Sequence, residues 1–312
     1  MRSDAGEMIR CIKITEREPR SYCQDHPRKR KSLPERDHSH RGCRQVKLLV
    51  SILAALPERV AYFVADVLYL LAFYLFRYRR ATVRENLLHA FPEKTDEERD
   101  AIEKASYKHL LSLLMEIIRS TKMSEEEFND RVRFSNLDLM ETATEGYEKQ
   151  VIILLIHQGN WEWMLHGAMA QMPVSVDPVY KKLHNEFWQE YMLRARSRFG
   201  ASPMALDQVG REVLRGRKKK RLIVMLADQA GPRDGGFWTD FLNRPASFYR
   251  GAEKLAQALK VRVLFAQCRR VERGRYEVEF HQLDDGSPME EERLLENYVR
   301  FAESVIAQQP EN

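Results

Sequence analysis

His157 and Glu162 stand five positions apart in the run VIILLIHQGNWEWM, residues 151–164. An imidazole takes up a proton near neutral pH, and a carboxylate beside it can fix its tautomer and stabilise the imidazolium. The pair therefore has the parts of a general base. Residues 151–156 read as a buried strand, Gln158-Gly159-Asn160 as a tight polar turn, and Trp161-Glu162-Trp163 as the opening of a helix. Along a straight helix, residues five apart point about 140° away from each other, at roughly 100° per residue. His157 must then precede the helix, at the carboxyl end of the strand, where open α/β sheets gather ligand and catalytic groups. Taken alone, His-x4-Glu is more often a structural histidine near a solvated glutamate. The strand-end setting is what singles this pair out.

The elements that would position the pair follow from periodicity. From residue 150 short apolar runs alternate with helical ones. Strands are expected over 151–156, 174–180, 222–227, 261–270 and 275–281, and helices over 161–171, 185–199, 208–215, 249–258 and 289–308. This alternation predicts an α/β fold whose central sheet is mixed, largely parallel and flanked by helices. Upstream, Thr95 before Asp96, Glu97 and Glu98 starts a helix, and Ser124 before three glutamates starts a shorter one with a capping box.

Residues 1–47 carry 13 basic and 7 acidic side chains, and the remainder 38 and 39, so the basic balance of the 312-residue chain belongs to its N-terminus. A nucleic-acid partner is disfavoured on that ground. Residues 1–45 read as a disordered basic tail, 46–80 as a membrane-anchoring apolar segment and 81–312 as the catalytic domain. Within the anchor, VAYFVADVLYLLAFYLF over 60–76 sits at the short edge of a membrane span, with Arg77, Arg79 and Arg80 closing it. Asp66 and Pro57 favour the competing reading, a buried core helix.

Asp228 and Gln229 follow the 222–227 strand and emerge on the same sheet edge as His157 if the strands are parallel. They read equally as substrate contacts or as turn residues. Arg194, Arg196 and Arg198 alternate along one helix, with the basic run 215–221 behind them, a surface of use to an acidic partner or simply a solvated face. Three cysteines (Cys11, Cys23, Cys43) lie in the tail and Cys268 in a strand-like run, with no CxxC pair, so no metal site is expected. No Gly-x-Ser-x-Gly or His-Glu-x-x-His motif supports a hydrolase.

The block His157-Gln-Gly-Asn-Trp-Glu162 resembles the His-x4-Asp/Glu block of the glycerolipid acyltransferase superfamily, and more narrowly that of the late acyltransferases of lipid A biosynthesis. Further blocks agree in order: Arg84-Glu-Asn86-Leu87 with Ala90-Phe91-Pro92-Glu93, Val179-Tyr180-Lys181-Lys182, Leu226-Ala227-Asp228-Gln229, and Phe241-Leu242-Asn243-Arg244-Pro245-Ala246. The resemblance covers about residues 46–310. Two departures stand beside it: the tail has no counterpart, and relatives usually continue past Asn312 through an aromatic, basic stretch.

The resemblance implies acyl transfer from an acyl carrier protein thioester to a hydroxyl of a lipid A precursor or related glycolipid. His157 would act as general base and Glu162 would orient it, with no covalent acyl-enzyme and no cofactor. Turn amides near Gly159 and Asn160 would meet the developing oxyanion. Asn160, Tyr180, Lys181, Arg194, Asp228, Gln229 and Asn243 become substrate-binding candidates. The implied setting is the bacterial inner membrane, with the catalytic domain facing the cytoplasm. An acyltransferase for a lysophospholipid or aminolipid, and a catalytically silent lipid-binding membrane protein, are the alternatives.

Overall fold

The computed structural model describes residues 39–287 and 290–312. Most of the expected tail, 1–45, lies outside them. The first described helix, α1 (Ser39–Ala54), starts ahead of the boundary placed at residue 46. Pro57 then opens α2 (Glu58–Leu70), which widens into a π turn over Leu71–Leu75. Arg77 and Arg79, at φ 45° and 56°, end it in left-handed turns, and α3 (Arg80–Ala90) leaves at 88°. Next comes the long α4 (Asp96–Arg119), which starts after Thr95 as the sequence predicts and is closed there by a Thr95–Glu98 capping box.

The expected membrane span is not a single straight helix: no single described helix is long and apolar enough to cross a membrane. Ala61, Ala65 and Phe73 are buried against α4, with Phe73 edge-on to Tyr107 at 5.3 Å. Asp66, the one charge in the run, meets both terminal nitrogens of Arg273 at 2.9 and 3.0 Å. The opposite face stays open to solvent: Phe63, Leu70, Tyr74, Leu75 and Phe76 are each more than half exposed, as are Leu48, Leu49 and Ile52 of α1.

After α5 (Glu125–Arg131), β1 (Val132–Phe134) and α6 (Leu137–Ala143), the chain enters its central strand, β2 (Val151–Leu155). The α/β alternation then runs through α7 (Trp161–Gln171), β3 (Ser175–Tyr180), α8 (Glu186–Arg196), β4 (Met204–Ala205), α9 (Val209–Arg215) and β5 (Arg221–Leu226). A hairpin of β6 (Phe237–Phe241) and β7 (Arg244–Phe248) interrupts it. Then α10 (Gly251–Leu259), β8 (Val263–Glu272), β9 (Arg275–Asp284) and α11 (Arg293–Gln308) complete the chain.

Seven strands form one sheet in the order β1-β9-β8-β2-β5-β3-β4. The stretch from β8 through β2, β5 and β3 to β4 is parallel, while β9 pairs antiparallel with β8 and carries β1 with it. All five residues of β2 are buried, the continuous apolar run that a strand covered on both faces needs. Alternation along it divides the core. Val151, Ile153 and Leu155 pack with α5, α6 and α7 on one face. Ile152 and Leu154 pack with α9, α10 and α11 on the other.

The parallel register sets up the site. Leu155 of β2 stands opposite Leu226 of β5, so residues 157 and 228, each two positions beyond its strand, leave the sheet side by side.

Candidate active site

His157 follows the carboxyl end of β2, as its sequence setting predicts, and Asp228 meets it there. One Asp228 carboxylate oxygen lies 2.7 Å from His157 Nδ1, and the other accepts the His157 backbone N–H at 2.9 Å. Trp161 packs edge-on against the imidazole at 4.8 Å. With Nδ1 facing Asp228, Nε2 is the ring nitrogen left to exchange a proton with a substrate.

The turn after His157 depends on glycine. Gly159 sits at φ 61°, and a Cβ there would stand 2.3 Å from the Cys268 carbonyl oxygen and 2.9 Å from its sulfur, so only a hydrogen fits. The Asn160 backbone amide is directed at that same sulfur. This corrects the expectation for one of the two turn amides proposed as oxyanion donors: the Asn160 N–H points into the core. Burial pushes the Cys268 thiol up to about 12, as befits a core residue.

Glu162, expected to orient His157, pairs elsewhere. Its Oε2 accepts from Arg196 Nε at 2.9 Å and its Oε1 from an Arg196 terminal nitrogen. Burial pushes the Glu162 carboxyl up, but the Arg196 guanidinium more than reverses this and holds it below the usual carboxylate range. The sequence gives a physical reason for the exchange of partners. Glu162 lies inside the helix while His157 lies before it, so the two project differently, whereas β5 brings Asp228 directly alongside the imidazole. Behind Glu162, one helical turn on, burial holds His166 down at about 4, in its neutral form.

His157, Trp161, Glu162 and Arg196 line a cavity of about 710 Å³ whose other walls are largely apolar, with Leu110, Leu114 and Ile117 of α4 and Trp188 and Met192 of α8. Its size suits one extended apolar ligand group. Of the substrate-binding candidates, Tyr180 and Lys181 at the end of β3 and Gln229 after β5 line this same cavity.

Three candidates do other work. Asn160 is fully buried: its Oδ1 caps α7 by accepting the Trp163 N–H at 2.9 Å, and its amide donates to Glu116 at 2.8 Å. Arg194 is exposed and pairs with Glu190 one turn back. Asn243 forms the tip of the β6–β7 hairpin with Leu242, both at positive φ, the conformation a two-residue hairpin requires. Its amide donates to the His89 carbonyl at 3.1 Å, while Arg244 reaches Asn86. Two of the blocks noted in the sequence are thus joined as a structural contact between hairpin and α3.

The alternating arginines are not one basic surface. At about 100° per residue they diverge: Arg194 to solvent, Arg196 to Glu162, and Arg198 to the Ser120 and Met123 carbonyls at the end of α4. In the run behind them, Arg221 is buried near Asp177 and Lys220 pairs with Glu148.

A histidine and an aspartate thus meet at adjoining parallel strand ends, and the histidine opens on a largely apolar cavity. The family model for bacterial lipid A biosynthesis acyltransferases matches residues 34–312, and the chain belongs to that family. No curated protein matches the chain.

Proposed function

We propose that this chain moves a fatty acyl group from an acyl carrier protein thioester to a hydroxyl of a lipid A precursor, with His157 as general base. Support for the base comes from one observation above others: the His157–Asp228 pair at the wall of the apolar cavity in a chain of this family. Nε2 of His157 takes the hydroxyl proton as the oxygen attacks the thioester carbonyl. The new C–O bond forms, the C–S bond breaks, and the proton passes to the departing thiolate. Asp228 keeps the ring proton on Nδ1 and stabilises the imidazolium. Glu162 holds Arg196 in the cavity wall, a fixed positive charge near the reacting carbonyl.

The acyl chain occupies the space between α4 and α8. The exposed apolar side chains of α1 and α2 rest on the inner membrane from the cytoplasmic side, an interfacial anchor rather than a span. That placement lets a lipid acceptor reach the cavity while its acyl chains stay in the bilayer.

Mass spectrometry of total lipids tests the reading, using cells that express this chain in a strain lacking its own late acyltransferases. The expected result is a lipid A species heavier by one acyl group that disappears with His157→Ala. A change confined to phospholipids would move the acceptor to a lysophospholipid. An acylated product that persists in the alanine variant would end the assignment of His157.

A further inference from the structure

Helix α4 runs behind the turn that follows His157, and two of its buried polar side chains reach that turn. His109 and Glu116 are seven residues apart and therefore on one face. His109 Nε2 lies 3.2 Å from the Gly159 carbonyl oxygen. Burial holds His109 neutral, down at about 3, which suits a ring donating from Nε2. Glu116, 1% exposed, does more. Its Oε2 accepts from Asn160 Nδ2 at 2.8 Å and from the Tyr276 hydroxyl of β9 at 2.6 Å. Its Oε1 accepts from the Tyr62 hydroxyl of α2 at 2.9 Å, and its backbone carbonyl takes the Trp163 indole N–H at 3.0 Å. A buried carboxylate is tolerated only where donors fill it, and these donors come from three separate elements. Asn160 is in turn held at both ends, by Glu116 through its amide and by the first turn of α7 through its oxygen.

We propose that Glu116 is a positioning residue for acyl transfer: through Asn160 it fixes the turn that places His157 against Asp228, and through Tyr62 it ties that turn to the apolar helix α2. The proposal rests on His157 being the base. Asp228 holds the imidazole at one side only, and the turn beyond it contains a glycine at positive φ. Without the anchor at Asn160 the ring keeps its partner but loses its fixed distance to the cavity. A displacement of about 1 Å is enough to slow a reaction on the order of a hundredfold.

Three substitutions separate positioning from packing. Glu116→Leu removes both acceptor oxygens. Asn160→Ser keeps a hydroxyl that can cap α7 but is too short to reach Glu116. Glu116→Gln keeps an oxygen for Asn160 and turns its NH2 toward the Tyr62 hydroxyl, whose oxygen can accept. With a dodecanoyl carrier-protein thioester as donor, kcat is expected to fall on the order of 10- to 100-fold in Glu116→Leu and Asn160→Ser. The donor KM should stay within about twofold, and Glu116→Gln should recover to within about threefold of the wild type. Carbethoxylation of His157 by diethyl pyrocarbonate, read by mass on its peptide, should change rate in the same two variants and not in Glu116→Gln.

The modification rate needs no turnover, so the two readings part cleanly. Full activity in His157→Ala would remove the base assignment, while the modification pattern would still report the anchoring of the turn. Should Glu116→Leu not fold, folded Asn160→Ser decides: wild-type kcat and wild-type His157 modification there overturn the proposal. So does a Glu116→Gln variant as slow as Glu116→Leu.

Discussion

Asp228→Asn probes the His157 pair through an asymmetry in what faces the carboxylate. One oxygen accepts the His157 backbone N–H at 2.9 Å, and the other meets Nδ1 at 2.7 Å. A backbone N–H can only donate, so the asparagine oxygen must take that side and its NH2 must face Nδ1. Nδ1 then has to accept, and the ring proton moves to Nε2, the nitrogen that the proposed mechanism needs bare. Asparagine is therefore worse than alanine, which leaves both tautomers open to the ring. The expected fall in kcat for Asp228→Asn is on the order of 10³- to 10⁴-fold, the size seen when a triad aspartate imposes the wrong tautomer as asparagine. That is about 4–5.5 kcal/mol of barrier. Asp228→Ala should lose only on the order of a hundredfold, the usual worth of general-base assistance. The assay is steady-state transfer from a dodecanoyl carrier-protein thioester, with a thermal melt beside it to show that each variant is folded. An asparagine variant within tenfold of the wild type, or an alanine variant slower than it, refutes the tautomer reasoning.

Gly159→Ala places a Cβ 2.3 Å from a backbone oxygen at φ 61°. It should destabilise the fold by about 2 kcal/mol or more and lower kcat with it, and an unchanged denaturation midpoint would contradict the close approach. Arg196→Met leaves Glu162 buried without its cation, at a cost of about 3–5 kcal/mol near neutral pH. The pH dependence carries a sign. In the wild type the folded pKa of Glu162 lies below its ordinary 4.5. Its pairing thus stabilises the fold above that value and is lost as pH falls through the folded pKa. In Arg196→Met burial, the largest influence, is opposed only by the smaller effects of His166 and Trp161 and raises the pKa, so acidification toward pH 5 should narrow the stability gap; a gap that widens instead would sink this account. Phe63→Asp, at a side chain 67% exposed, should weaken co-sedimentation with anionic phospholipid vesicles on the order of tenfold or more, from the apolar area removed, with little change in melting temperature. Binding equal to the wild type would mean that α2 does not face a membrane.

Much of this was legible in one dimension. The five strands and five helices expected after residue 150 all form. Helix 161–171 has the same limits in both readings, because Asn160 caps it and Trp161 opens the apolar stripe. Strand β2 was legible as an unbroken apolar run, which only a strand covered on both faces sustains. The short β1 and β4 and the hairpin β6–β7 were not anticipated. The first two have three and two residues, too few for a period to show, and the hairpin's signal is two positive-φ residues, Leu242 and Asn243, of which leucine is not a turn former. The apolar segment read as a span because composition counts residues without asking which face they occupy. Ala61, Ala65 and Phe73 face α4, and Asp66 meets Arg273 from more than two hundred residues away.

Residue pattern alone places a histidine at a strand end, before a glycine turn and a helix, in an α/β sheet. Local pattern is enough for that, since hydrophobic period and turn chemistry act within a few residues. Which acid meets which cation or imidazole is set by contacts between distant parts of the chain. His157 and Asp228 are 71 positions apart, Glu162 and Arg196 34, Glu116 and Asn160 44. Those pairings depend on strand order and register, with Leu155 opposite Leu226 rather than one residue away. A slip by one would turn every side chain beyond it to the other face, and how near a carboxylate lies to His157 in sequence says nothing about whether it arrives.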